Sequence, residues 1–148
     1  MDQKKYNILL ADDDLDDCLF FKEALEELSY SFSLQTVNNG EELMSCLMSK
    51  SNILPDILFL DLNMPRKTGY DCLSEIKFHD KLKDLPVIIY STSLDHEVAN
   101  LLYEKGATHY IRKPGDFGKL KGVIREALNA ISRKTTSKPS KEEFIIQL

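Results

Sequence analysis

Four short apolar runs in this chain each end on residues that can do chemistry. Ile8–Ala11 runs into Asp12, Asp13 and Asp14, and Ile57–Leu60 runs into Asp61. Val87–Tyr90 is followed by Ser91 and Thr92, and the run at Tyr110 and Ile111 leads to Lys113. Each has a plainer reading taken singly: helix-capping acids, a turn at Asp61–Asn63–Pro65, a Ser cap, a solvated strand exit. All of these would have to hold at once, each at the end of a strand. Brought to one rim, Asp12, Asp13 and Asp61 would repel one another and push at least one carboxyl pKa upward. A divalent cation removes that conflict, and all-oxygen ligation by a few carboxylates describes Mg²⁺. With Lys113 to hold a phosphoryl oxygen and Ser91 to donate to another, the set suits a dianionic phosphoryl group. Asp61 is then the one plausible nucleophile.

The elements that must position these groups alternate along the chain. The strand-like run at Ile8–Ala11 is followed by a helical pattern with Leu15, Cys18, Phe21, Leu25 and Leu28 at three- and four-residue spacings. Phe32–Val37 alternates like a half-buried strand, and Asn39-Gly40 turns it into a helix over Glu41–Met48. Thr68-Gly69-Tyr70-Asp71 has capping-box spacing and opens a third helix after the strand Ile57–Leu60. Ser91–Ser93 lead into a helix that Gly106 stops, and Asp116 is the expected cap of the last helix, with Leu120, Ile124, Leu128 and Ile131 on one face. Five strands alternating with five helices predict an α/β domain with a mostly parallel sheet covered on both faces. Ligands of such sheets bind beyond the carboxyl ends of the strands, where all the residues above fall.

In ILLADDD, ILFLDLNMPRKTGYDCL, LPVIIYSTS and EKGATHYIRKP, over about residues 7 to 133, the chain resembles the receiver domain of two-component response regulators. The resemblance implies a flavodoxin-like (CheY-like), doubly wound, five-stranded parallel sheet in the order 2-1-3-4-5, with helices on both faces. It also implies roles. Asp61 would be the phosphoacceptor. Asp13, Asp61 and the Asn63 backbone carbonyl would ligate Mg²⁺, with Asp12 acting mostly through water. Ser91 matches the switch hydroxyl, Lys113 the phosphoryl-binding lysine and Tyr110 the switch aromatic. The Lys113–Pro114 bond would be cis. Two departures stand out: Ser91 replaces the commoner Thr, and Gly115-Asp116 stand before Phe117 where an aromatic often follows directly. The RKTGYDCL segment resembles stand-alone receivers paired with phytochrome-type sensor kinases.

At 148 residues with a net charge of −5, the chain is expected to be one soluble domain with no general affinity for nucleic acid. The apolar start is too short for a signal peptide or a membrane span, and three scattered cysteines without metal-binding spacing suit a reducing cytoplasm. Residues 1–133 form the expected receiver; 134–148 form a polar linker and an apolar tail, too short for an output domain. Phe144, Ile146 and Leu148 alternate as on one strand face, with Ile145 opposite. They suggest docking on this domain, on a second copy (a homodimer) or on a partner. The expected function is phosphoryl acceptance from a histidine kinase or phosphotransfer protein, read out as changed protein–protein contact rather than enzymatic turnover. A phosphatase of the haloacid-dehalogenase class also uses a strand-end Asp with Mg²⁺. It needs a second acid two positions on, where this chain has Asn63. A flavin-binding module would want a phosphate-cradling loop where the three acids stand.

Overall fold

The structure is a computed structural model that describes residues 5–49, 53–132 and 139–147. Its first unit is β1 (Lys5–Ala11), α1 (Leu15–Glu27) and β2 (Ser31–Val37). Then come α2 (Gly40–Met48), β3 (Ile57–Leu60), α3 (Gly69–Phe78), β4 (Val87–Ser91) and α4 (His96–Lys105). β5 (His109–Arg112), α5 (Phe117–Ser132), α6 (Lys141–Phe144) and β6 (Ile145–Ile146) complete it. All strand pairs are parallel, in the order β2-β1-β3-β4-β5-β6. The expected 2-1-3-4-5 order therefore holds, and a sixth, two-residue strand from the tail extends it.

The central strands are buried along their length because helices cover both faces. Their side chains alternate between two cores. Leu58, Leu60, Val87, Ile89 and Tyr110 face one core, which α2, α3 and α4 complete with Leu43, Leu47, Leu73, Ile76 and Leu102. Ile57, Phe59, Ile88, Tyr90 and Ile111 face the other, closed by Phe21 and Leu25 of α1 and Leu120, Ile124 and Leu128 of α5. Each large aliphatic side chain removed from water contributes about 1.5–3 kcal/mol, so these two layers dominate the drive to this architecture.

Helix starts follow local hydrogen bonding. Asn39 Oδ1 accepts from the Glu42 amide at 2.8 Å, and Thr68 Oγ1 accepts from that of Asp71 at 3.2 Å. Asp116 accepts from the Lys119 amide at 3.0 Å, as the sequence predicts. The cap of α4 is Asp95, whose Oδ1 accepts from Glu97 and Val98, so the Ser91–Ser93 stretch is no cap. Gly106 ends α4 at φ 101°, a left-handed conformation that favours glycine.

The tail has packed on this domain. Ser140 Oγ accepts from the Glu143 amide and donates to its carboxylate, an N-cap that starts the single turn α6. Ile145 and Ile146 then pair with Tyr110 and Ile111. Phe144 belongs to the helical turn, so it does not share a face with Ile146: Phe144 enters the first core, and Ile146 packs on the second. Leu148 and residues 133–138, most of the expected linker, lie outside the described residues.

Candidate phosphoryl site

Backbone pairing delivers the acids. The Asp61 amide donates to the Ala11 carbonyl at 2.9 Å and the Asp12 amide to that of Val37 at 3.0 Å. The ends of β1 and β3 are thereby held side by side, with Ala11 opposite Leu60. Asp12, Asp13 and Asp61 each present a carboxylate oxygen within 4.8 Å of the others. Asp12 is fully buried and Asp61 nearly so, whereas Asp13 is exposed. Asp14 is set apart as the cap of α1, accepting from the Asp17 amide at 3.1 Å.

Lys113 reaches these acids from the end of β5, its amide donating to the Ser91 carbonyl at 2.7 Å. Its ammonium, only 8% exposed, lies 2.7 Å from Asp12, 2.9 Å from Asp17 and 3.7 Å from Asp61, and 5.2 Å from the centre of the Tyr90 ring. The contact with Asp12 is an ion pair without hydrogen-bond alignment, so the buried Asp12 Oδ2 has no hydrogen-bond partner. Burial raises the Asp12 pKa, with Lys113 opposing it. Burial likewise pushes the Asp61 carboxyl up to about 6, against the pull of Lys113 and with a further push from the Asp12 charge. For Lys113 the balance tips the other way: burial works against its charge, but Asp12, Asp17 and Asp61 together hold its pKa above the ordinary lysine value.

These are the properties of a cation site. Three converging acids, two of them buried, offer an all-oxygen donor set that fits a hard divalent ion. Two positions after the nucleophile candidate, Asn63 donates its amide to Asp61 Oδ1 at 3.3 Å. Its side chain offers no carboxylate for proton transfer.

Ser91 is fully buried at the end of β4, its Oγ accepting from the Ser93 amide at 3.4 Å. Tyr110 is buried too, its hydroxyl donating to the Ser93 carbonyl at 2.5 Å. The two residues expected to form the switch thus meet at the Ser93 backbone. The Lys113–Pro114 bond, expected cis, is trans. Trans is the intrinsically favoured isomer by about 0.5–1 kcal/mol, and with it Lys113 already reaches the acids.

Two residues of the site escaped the sequence reading, as did one buried group away from it. Asp17 holds Lys113 from the first turn of α1, a contact that no local signal in the sequence announces. Asn38 donates its side-chain amide to the Asp12 carbonyl at 3.2 Å, which only the β1–β2 pairing reveals. His109 is buried under the tail, its Nδ1 lying 3.1 and 3.2 Å from the carbonyls of Glu143 and Phe144.

A doubly wound parallel sheet with three acids, a hydroxyl and a lysine at the carboxyl ends of its strands defines a phosphoacceptor module of two-component signalling. The chain belongs to the response regulator receiver domain family, whose model matches residues 8–125. It is 30% identical over 110 residues to the response regulator Rcp1 of Synechocystis, covering 72% of this chain and 75% of that one. A Mn²⁺-bound structure of Rcp1 superposes with a TM-score of 0.77 at 26% identity, covering 91% of this chain and 99% of the other. The phosphorylated cyanobacterial phytochrome response regulator RcpA gives 0.77 at 29% identity, covering 93% and 100%. The C4-dicarboxylate response regulator DctR of Bacillus subtilis is 30% identical over 126 residues; the match covers 85% of this chain but 54% of DctR, a longer protein.

Proposed function

We propose that the chain is a response regulator receiver that takes a phosphoryl group on Asp61 and signals through altered protein–protein contacts. The convergence of Asp12, Asp13 and Asp61 beside Lys113 carries the reading. In the transfer, an Asp61 carboxylate oxygen attacks phosphorus. The bond from phosphorus to the donor, a histidine nitrogen of a kinase or phosphotransfer protein, breaks as the acyl phosphate forms. Asp12, Asp13, Asp61 and the Asn63 carbonyl would hold Mg²⁺, which when bound neutralises charge on the phosphoryl oxygens. Lys113 supplies a charge-assisted hydrogen bond to one of those oxygens and Ser91 a hydroxyl donor to another.

The new dianion draws Ser91 and Lys113 inward. Because Ser91 and Tyr110 share the Ser93 backbone, the β4–α4 loop and the β5 face are the surfaces that respond. This is phosphoacceptance, not turnover: Asn63 lacks the acid a phosphatase of the haloacid-dehalogenase class requires. The phytochrome response regulators among the structural relatives favour a phytochrome-type sensor kinase as donor. Three scattered cysteines without metal-binding spacing suit a reducing cytoplasm, and among the described residues no helix is long and apolar enough to cross a membrane.

Acetyl phosphate with Mg²⁺ tests the central claim. The intact chain should acquire one phosphoryl group that alkali and hydroxylamine both remove, as an acyl phosphate requires, and Asp61→Asn should acquire none. Asp14→Asn should still accept, because Asp14 is occupied in capping α1. Label stable on a serine or threonine would overturn the assignment.

A further inference from the structure

We infer that Asp17 is a positioning residue of the phosphoryl site: it is the resting counter-ion of Lys113 and the charge against which an incoming phosphoryl group must compete. The inference rests on the function proposed above. Asp17 lies in the first turn of α1, its amide tied to the Asp14 side chain, so its place relative to the strand ends is set by the helix cap. Its Oδ2 accepts a hydrogen bond from Lys113 Nζ at 2.9 Å. Of the three carboxylates around that ammonium, Asp17 alone combines close contact with hydrogen-bond alignment. Asp12 is nearer, at 2.7 Å, but misaligned, and Asp61 stands off at 3.7 Å.

The chemistry of the site separates the roles of these acids. Asp12 and Asp61 are candidate ligands of a divalent cation, and a carboxylate committed to a metal is a poorer partner for an ammonium. Asp17 is outside that cluster, so it is the partner that remains for Lys113 once a cation is bound. A phosphoryl dianion on Asp61 then asks Lys113 to lean away from Asp17, and it meets the Asp17 charge itself. With Lys113 8% and Asp17 32% exposed, water screens this interaction only in part. Asp17 thus weakens the phosphorylated arrangement and keeps the unphosphorylated one as the resting state.

The alternative is a purely structural tie between α1 and the end of β5. The two roles differ in sign. Loss of a structural tie loosens the site, whereas loss of a competing charge tightens its grip on a dianion. The probe is beryllofluoride, which mimics a phosphoryl group on a carboxylate, titrated into the full chain at saturating Mg²⁺. One unit charge a few ångströms away in a partly screened site corresponds to roughly a tenfold change in affinity. Asp17→Asn should therefore bind beryllofluoride about three- to tenfold more tightly. Asp17→Glu, which keeps the charge, should stay near the wild type. Asp17→Ser offers a second neutral variant should the Asn form not fold. Wild-type or weaker beryllofluoride binding by the folded neutral variants would overturn the role of Asp17 and leave the phosphoacceptor reading standing. A wild-type chain that takes up neither beryllofluoride nor acetyl phosphate would overturn both.

Discussion

Asp61, the proposed phosphoacceptor, faces two opposed demands: transfer needs it ionised, yet burial and the Asp12 charge favour its proton. Its carboxyl, pushed up to about 6, binds a proton more tightly folded than unfolded, where the ordinary value is 3.8. The native state therefore holds the extra proton between these values, and ionising Asp61 costs stability that is fully felt above pH 6 and relieved as pH falls towards 4. In EDTA, Asp61→Asn should melt higher than the wild type at pH 7.5, and the gap should shrink to about half at pH 5 and nearly close towards pH 4. Mg²⁺ should cancel that advantage by stabilising the wild type. Above its dissociation constant, each tenfold increase in free Mg²⁺ adds about 1.4 kcal/mol, or roughly 3–5 °C in Tm for a chain of this size. Asp13→Ala should abolish the Mg²⁺ response. Equal melting of wild type and Asp61→Asn in EDTA across this range would sink the electrostatic account.

The elements hold these residues through backbone contacts as close as any in the core. Gly69 starts α3 with its amide donating to the Leu62 carbonyl, and a Cβ there would lie 2.2 Å from the Asp61 carbonyl oxygen and 2.8 Å from Leu62 Cα. Backbone, not a flexible side chain, would have to move, so Gly69→Ala should cost at least about 2 kcal/mol and lower Tm by roughly 4–8 °C. Because the displaced atoms belong to the nucleophile's own peptide unit, acetyl-phosphate labelling should slow by at least about tenfold. Gly115 is the control: nothing lies within 4 Å of its would-be Cβ, and Gly115→Ala should leave both Tm and labelling nearly unchanged. A Gly69→Ala protein that melts and labels like the wild type would show that the β3–α3 loop adjusts freely. Much of this level was legible in advance. The apolar runs of β1, β3 and β4, the Thr68 box and the Gly106 stop all express local chemistry that needs no partner. What escaped was set by competition or by distance. Asp95 won the α4 cap with bonds to two amides, which left Ser91 in the strand. Asn38 acquires its role only when β2 pairs with β1, and Asp17 only when the end of β5 brings Lys113 to α1. In the tail, alternation suggested one strand, but the Ser140 cap, equally readable, turned Phe144 into a helix and onto the other face.

Over the whole molecule, the tail finishes a sheet that would otherwise expose β5 as an edge beside the switch aromatic. Phe144, buried to 2% exposure, meets the rings of Tyr103 and Tyr110 with centroids at 5.2 and 6.4 Å, and the Tyr103 hydroxyl donates to the Pro139 carbonyl at 2.7 Å. A chain ending at residue 138 loses this cover without losing any residue of the phosphoryl site, so it should melt lower while accepting phosphoryl from acetyl phosphate as before. Phe144→Ala should reproduce most of the loss. Its cost is bounded by the docking energy of the tail, at about 2–3 kcal/mol below the 3–5 typical of a core phenylalanine, because the segment can detach and leave the rest folded. His109 gives the contact a pH signature. Burial lowers its pKa below the ordinary 6.5, outweighing the tail carbonyls at its Nδ1 and the Glu143 charge, which pull upward. A histidine held neutral in the native state contributes stability that is full above the unfolded pKa and is lost as pH falls through the folded one. Truncation opens His109 to water and removes that constraint. The Tm advantage of the full chain over the truncated one should therefore be largest near pH 7.5 and shrink towards pH 5.5, and His109→Asn should flatten that trend. A gap that stays constant or widens on acidification would mean that His109 takes no part in holding the tail.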